Sequence, residues 1–107
     1  MSAQQLTQQD DEQSQKVIRF GIFSTGNVAR KFAFALLYAQ SQNLAKCELA
    51  AVASRNNSIE KAQAFVDKLT SQFKKNPPTQ VIKAYGSYEE LANDPQIDII
   101  YIATPHV

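Results

Sequence analysis

Ser24, Thr25, Gly26, Asn27 and Val28 stand between two apolar stretches, and Ser24, Gly26 and Ala29 have the spacing of the G-x-G-x-x-G/A pattern that cradles a pyrophosphate. In that pattern the first glycine makes a turn, the second lets backbone approach the phosphate, and the third small residue seats a helix on a strand. Gly26 and Ala29 meet the second and third requirements, and Ser24 replaces the first glycine. The chemistry is that of a helix start, where amides with no partner inside the helix sit at the positive end of its dipole and favour an anion. An ordinary strand-to-helix turn with one glycine is the other reading of the same residues.

Two further groups follow apolar stretches. Ser54 and Arg55 come directly after Cys47–Ala53, and no carboxylate stands among Ser54, Arg55, Asn56 and Asn57. In dinucleotide-binding folds an acid at this place holds the ribose hydroxyls, whereas an arginine accommodates a 2′-phosphate through its planar fork of donors. Arg55 therefore points to NADP, with NAD the lesser candidate; a solvated loop arginine is the alternative. Thr104, Pro105 and His106 follow the last apolar stretch. An imidazole titrates near neutrality and is able to serve as general acid or base. His106 has no ionisable neighbour, so it reads instead as a cofactor-lining or exposed histidine. The sequence has no cluster with metal-ligand spacing, no G-x-S-x-G elbow and no P-loop lysine.

The elements that must position these residues alternate. Val17, Ile18, Phe20, Ile22 and Phe23 form a nearly continuous apolar run that suits a parallel strand covered on both faces. Behind Gly26, the positions Val28, Ala29, Phe32, Ala35, Leu36 and Ala39 recur at helical spacing. Cys47–Ala53 is the second strand, and Asn57 with Glu60 is a capping pair for a helix carrying Ile59, Ala62, Phe65, Val66, Leu69 and Phe73. After the basic loop Lys74–Pro78 come a third strand over Val81–Tyr85 and a capping box of Ser87 and Glu90 on a helix over 88–92. A fourth strand covers Ile97–Ala103. The expected fold is α/β, a Rossmann-type parallel sheet of order 3-2-1-4, with Ser24–Asn27 and Thr104–His106 facing one crevice at the carboxyl ends of strands one and four.

Composition bounds the rest. The 107 residues allow one modest core. With 44% hydrophobic residues, 20% charged and a formal charge of +1, the chain is neither disordered overall nor suited to nucleic acid or a membrane surface. No apolar run approaches the ~20 residues a bilayer span needs. Residues 1–16 are rich in Gln, Asp, Ser and Glu, without a secretory core or transit arginines, and read as a flexible tail ahead of residues 17–107. Cys47 is the sole cysteine, which excludes an intramolecular disulfide and suggests a buried thiol in a reducing, cytoplasmic setting.

The blocks RFGIFSTGNVARKF, ELAAVASRN and KAYGSYEELANDPQIDIIYIATPHV resemble the N-terminal part of the glucose–fructose oxidoreductase and inositol dehydrogenase family. Within it they are most similar to the dimeric dihydrodiol dehydrogenase and NADP-dependent D-xylose dehydrogenase branch, in which a serine commonly stands where Ser24 does. The resemblance implies an NADP-dependent oxidoreductase that moves hydride between nicotinamide and a CH–OH carbon of a sugar or dihydrodiol, in a homodimer. It implies that the Thr104–Pro105 turn lies along the nicotinamide end of the cofactor. It also implies a catalytic lysine in a Glu-Lys-Pro motif on the following strand and then a substrate domain; that motif does not occur in these residues. No catalytic residue is assigned, the sheet is read as truncated after its fourth strand, and the chain by itself is expected to be inactive. The fourth strand is then an edge with Ile100 and Ile102 uncovered, an arrangement that promotes association. The alternatives are a non-catalytic NADP(H)-binding or interaction protein and a truncated fragment without function.

Overall fold

The apolar run that opens the chain's ordered pattern becomes β1 (Ile18–Phe23), followed by α1 (Asn27–Ser41), β2 (Cys47–Ala53) and α2 (Ile59–Thr70). A short 3-10 turn at Ser71–Phe73, β3 (Lys83–Tyr85), α3 (Tyr88–Ala92) and β4 (Ile99–Ile102) complete the order. The computed structural model describes residues 16–55, 58–78 and 80–103. All pairings are parallel and the four strands lie in the order β3-β2-β1-β4, as the sequence predicts. The register sets the strand ends level: Phe23 pairs with Ala53 and Ile102, and Ala53 with Tyr85. Beyond those ends, Ser24 N donates to Ala53 O at 2.9 Å, Ser54 N to Tyr85 O at 3.2 Å and Ala103 N to Phe23 O at 3.2 Å. One row of backbone bonds thus gathers the first residues after β1, β2 and β4.

The two faces of the sheet are covered unequally. On one, Ile22, Leu49 and Val52 meet Ala29, Ala33, Leu36 and Leu37 of α1 and Val66 and Leu69 of α2, with Phe73 and Ile82 at the margin. On the other, Leu91 of α3 sits against Ala51 and Ala53, flanked by half-buried Phe23, Tyr85, Tyr88, Ile97 and Ile100. The buried stripe of α1 is 29, 33, 36, 37, the i, i+4, i+7, i+8 face of a helix; Val28 and Ala35, read from the sequence as part of the apolar face, lie one residue off it and are exposed. Gly21 of β1 faces Leu91 of α3 and Ile97. A Cβ there would lie 2.7 Å from Leu91 Cδ2 and 3.3 Å from Ile97 Cγ2.

Several boundaries differ from the periodicity. β3 begins at Lys83 rather than Val81, because the chain before it is held by side chains instead of a ladder. The amides of Gln80 and Gln40 exchange bonds at 3.1 and 2.8 Å, Gln80 Nε2 also donates to Leu49 O at 3.0 Å, and Val81 is left exposed. β4 begins at Ile99 rather than Ile97, since Ile97 N closes a turn onto Asp94 O at 3.2 Å. Among the described residues β4 is an edge, with Ile99 and Ile102 exposed and Ile100 half-buried under α3. β1 begins at Ile18, with Val17 exposed ahead of it. The apolar pattern of α2 passes through Thr70 into the 3-10 turn, which still buries Phe73. Asn57 lies outside the described residues; Ser58 caps α2, without a side-chain bond. The Ser87 box forms, with Glu90 N donating to Ser87 Oγ at 3.2 Å and Ser87 Oγ to Glu90 Oε1 at 3.2 Å. Cys47 is half-buried rather than buried, and desolvation pushes its thiol pKa up.

Asp94, just after α3, has a side chain only 4% exposed. Tyr85 Oη donates to its Oδ2 at 2.6 Å, Gln96 N to its Oδ1 at 2.9 Å, and Lys83 Nζ lies 3.6 Å away. The Tyr85 bond, ahead of the Gln96 amide and Lys83, holds the carboxyl below its usual range, and the same bond pushes the Tyr85 hydroxyl up to about 12. The signs follow. Asp94 is depressed in the folded chain, so its stabilisation is present above the ordinary carboxylate pKa and lost as pH falls through the folded value. Tyr85 is raised, so its contribution is present below its ordinary pKa of 10.0 and lost as pH rises towards 12. Tyr85→Phe should cost about 1–3 kcal/mol at neutral pH, the penalty for a buried acceptor left short of a donor. The cost should shrink in urea titrations once acid neutralises Asp94; a loss of equal size at both pH values would separate Tyr85 from the carboxylate.

No helix among the described residues is long and apolar enough to cross a membrane. Among them, too, no group of three or more His, Cys, Asp or Glu side chains is placed to hold a metal ion.

Candidate functional site

At the end of β1 the chain turns on Ser24, whose φ of 108° lies in the region that favours glycine. The serine thus does conformationally what the first glycine of the pattern does. Its Oγ accepts a bond from Gly26 N at 3.1 Å. Gly26 is the N-cap of α1, with φ −81° and ψ −172°, and Arg30 N donates to its carbonyl at 3.0 Å. That backbone is open to any residue, and a Cβ on Gly26 would meet only Ser24 Oγ at 3.5 Å. Backbone strain therefore falls on Ser24 and not on Gly26. No side chain caps α1 and no acid stands in its first turn, so the opening amides are left for solvent or a ligand.

At the end of β2, Ser54 is 1% exposed and its hydroxyl donates to Ser58 O, fixing the entry into α2. The Ser54 proton is engaged in that bond. Arg55 follows and is exposed. Ser24, Thr25, Gly26, Ser54 and Arg55 line one cavity of about 250 Å³, together with Lys61 and Tyr88. Among the described residues its lining holds two cationic side chains and no carboxylate. Tyr88 is a rigid wall, stacked on Phe23 with ring centroids 4.4 Å apart and planes 4° from parallel.

Lys61 and Tyr88 escape sequence reasoning because their place depends on how α2 and α3 dock. The available signals were a lysine three residues after the Ser58 cap and an aromatic at the first position of a short helix. Asn27 and Val28 stand in the first turn of α1 but do not line the cavity; Asn27 Oδ1 accepts from Arg30 Nη2 at 3.4 Å, and Val28 is exposed. Thr104, Pro105 and His106 lie outside the described residues, the last described bond before them being that of Ala103 with Phe23. A larger cavity of about 480 Å³ lies at the far end of α1, lined by Leu37, Gln40, Ser41, Phe73, Pro77 and Pro78 among others. It faces the carboxyl end of the helix, where the dipole disfavours an anion.

The family model described as an oxidoreductase family with an NAD-binding Rossmann fold matches residues 18–106. The chain is 36% identical over 92 residues to D-xylose 1-dehydrogenase (NADP(+)) of Hypocrea jecorina, a match covering 83% of this chain and 22% of that protein. It is 37% identical over 89 residues to trans-1,2-dihydrobenzene-1,2-diol dehydrogenase of Mus musculus, with the same coverage of 83% and 22%. The crystal structure of myo-inositol dehydrogenase from Lactobacillus casei, in complex with NAD(H) and myo-inositol, superposes with a TM-score of 0.58 at 23% identity over 82% of this chain and 22% of that one, and shares its fold. The chain spans about a fifth of the length of the curated relatives it matches.

Proposed function

From the premise that the chain belongs to the oxidoreductase family with an NAD-binding Rossmann fold, we propose that residues 17–107 are the N-terminal portion of a domain that binds NADP(H). The activity it serves is oxidation or reduction at CH–OH groups of sugars or dihydrodiols, the substrates named for its dehydrogenase relatives. Residues 1–16 are a tail outside that domain. In this reading the pyrophosphate lies over Ser24–Asn27 and the first turn of α1 with Val28. Thr104, Pro105 and His106 line the nicotinamide end. When bound, the nicotinamide supplies the hydride acceptor or donor. No residue of this chain is assigned a proton-transfer role.

The observation that carries the proposal is the acid-free cavity at the ends of β1 and β2, in which Arg55 and Lys61 share a lining with Ser24, Thr25 and Gly26. A guanidinium and an ammonium beside the end of β2 suit the adenosine 2′-phosphate, which NADPH has and NADH lacks. Ser54, buried beside Arg55 with its hydroxyl bonded to Ser58 O, completes the proposed site in the same lining.

The test is nucleotide fluorescence titration. The unsubstituted chain should bind NADPH more tightly than NADH, and Arg55→Ala should weaken NADPH about tenfold while scarcely changing NADH, the loss expected for one charge-assisted contact. Equal affinity of the unsubstituted chain for both nucleotides, or equal losses in the variant, would sink the assignment.

A further inference from the structure

We infer that Ser24 is a strained positioning residue whose hydroxyl carries the hydrogen-bond donation of the Gly26 amide one bond further out, to the pyrophosphate of the nucleotide; this rests on the nucleotide-binding reading above. A non-glycine residue at φ 108° is held there against its own preference, and glycine would take the same turn without that penalty. The strain therefore coincides with a side chain rather than with a turn that needs one. Ser24 Oγ accepts from Gly26 N at 3.1 Å, and among the described residues its own O–H donates to no protein group. A hydroxyl that accepts one hydrogen bond becomes a stronger donor for the next, because each bond polarises its neighbour. The hydroxyl stands in the lining of the cavity that Arg55 and Lys61 make favourable to an anion.

The arrangement replaces an amide donor close to the backbone with a hydroxyl donor projecting from it. With Ser24 in place, the Gly26 amide is already engaged. A phosphate oxygen then meets Oγ–H instead of N–H, and the pyrophosphate common to NADH and NADPH is the group affected. Loss of the hydroxyl should consequently weaken both nucleotides alike, unlike loss of Arg55.

Two variants separate the hydroxyl from the strain. Ser24→Ala keeps the Cβ and the positive φ but has no donor, and should weaken NADH and NADPH each about tenfold, with their ratio unchanged and the unfolding midpoint no higher than that of the unsubstituted chain. Ser24→Gly relieves the turn and should unfold roughly 3 °C higher, despite the greater freedom of its unfolded chain. A purely structural serine would instead lower the unfolding midpoint of Ser24→Ala while leaving both nucleotide affinities unchanged at temperatures where the variant is folded. Ser24→Ala binding both nucleotides as the unsubstituted chain does would overturn the relay, and Ser24→Gly unfolding at or below the unsubstituted midpoint would overturn the strain. If the unsubstituted chain bound neither nucleotide, the nucleotide-binding reading would fall and this inference with it.

Discussion

Gly26→Val should fold as the unsubstituted chain does and lose affinity for NADPH and NADH by about a hundredfold, equal to about two charge-assisted hydrogen bonds at ~1.5 kcal/mol each. The fold has no reason to object. Gly26 has an ordinary extended backbone at φ −81°, and among the described residues the only atom within reach of an added Cβ is Ser24 Oγ at 3.5 Å. What valine changes is the space outside the chain. Its two methyl groups stand where, in the proposed reading, the pyrophosphate comes within hydrogen-bond distance of Ser24 and the amides of α1. Far-ultraviolet circular dichroism and a urea midpoint should therefore match those of the unsubstituted chain while titration fails. A variant that binds normally would take the phosphate away from this turn. One that unfolds would show that the Gly26 surroundings are tighter than their geometry.

The opposite behaviour is expected of Gly21→Val, only five residues earlier. It should cost about 3 kcal/mol or more, a large share of the ~5–15 kcal/mol that a domain of this size commonly has. The added Cβ lies 2.7 Å from Leu91 Cδ2, inside any permitted contact, and 3.3 Å from Ile97 Cγ2, before its methyl groups are placed. Leu91 is 0% exposed and packed among Phe23, Tyr85, Tyr88 and Ile100, so any shift of its side chain must displace these neighbours. Leu91→Ala alone should cost about 2–5 kcal/mol through the cavity it leaves. Joined to Gly21→Ala it should cost less than the sum of the two, because the new methyl group enters the space the leucine vacates. Urea denaturation of the four proteins completes the cycle, and strict additivity would mean that Gly21 and Leu91 do not press on one another.

The order of elements came from periodicity, and the sheet order from the dinucleotide-binding pattern that the strand–turn–helix start matches. The run Val17–Phe23 and the switch to helical spacing after Gly26 are local signals that tertiary packing then reinforced. The ends of β3 and β4 were not legible, because Gln80 bonding to Gln40 and Leu49 O, and Ile97 turning onto Asp94, are long-range or turn chemistry with no periodic signature. The site divides in the same way. Ser24, Gly26 and Arg55 are visible because a strand end announces them. Lys61 and Tyr88 are not, since each reaches the cavity only once its helix has docked. The burial of Ser54 depends on a bond to Ser58, four residues on, and no spacing rule distinguishes that from a hydroxyl open to a ligand.

The unequal covering of the sheet has a consequence for motion. One face is closed by two long helices and a continuous apolar cluster, while the other rests on a five-residue helix and one fully enclosed leucine. Local opening is therefore cheapest on the α3 side, and amide hydrogens there should exchange through excursions that leave α1 and α2 in place. Tyr88 belongs to that softer layer by its stack on Phe23, and it is also a wall of the cavity. A molecule held in the cavity would rest against this layer and slow its opening. Occupancy of the site and the stiffness of the least stable face are thereby joined through a single aromatic ring.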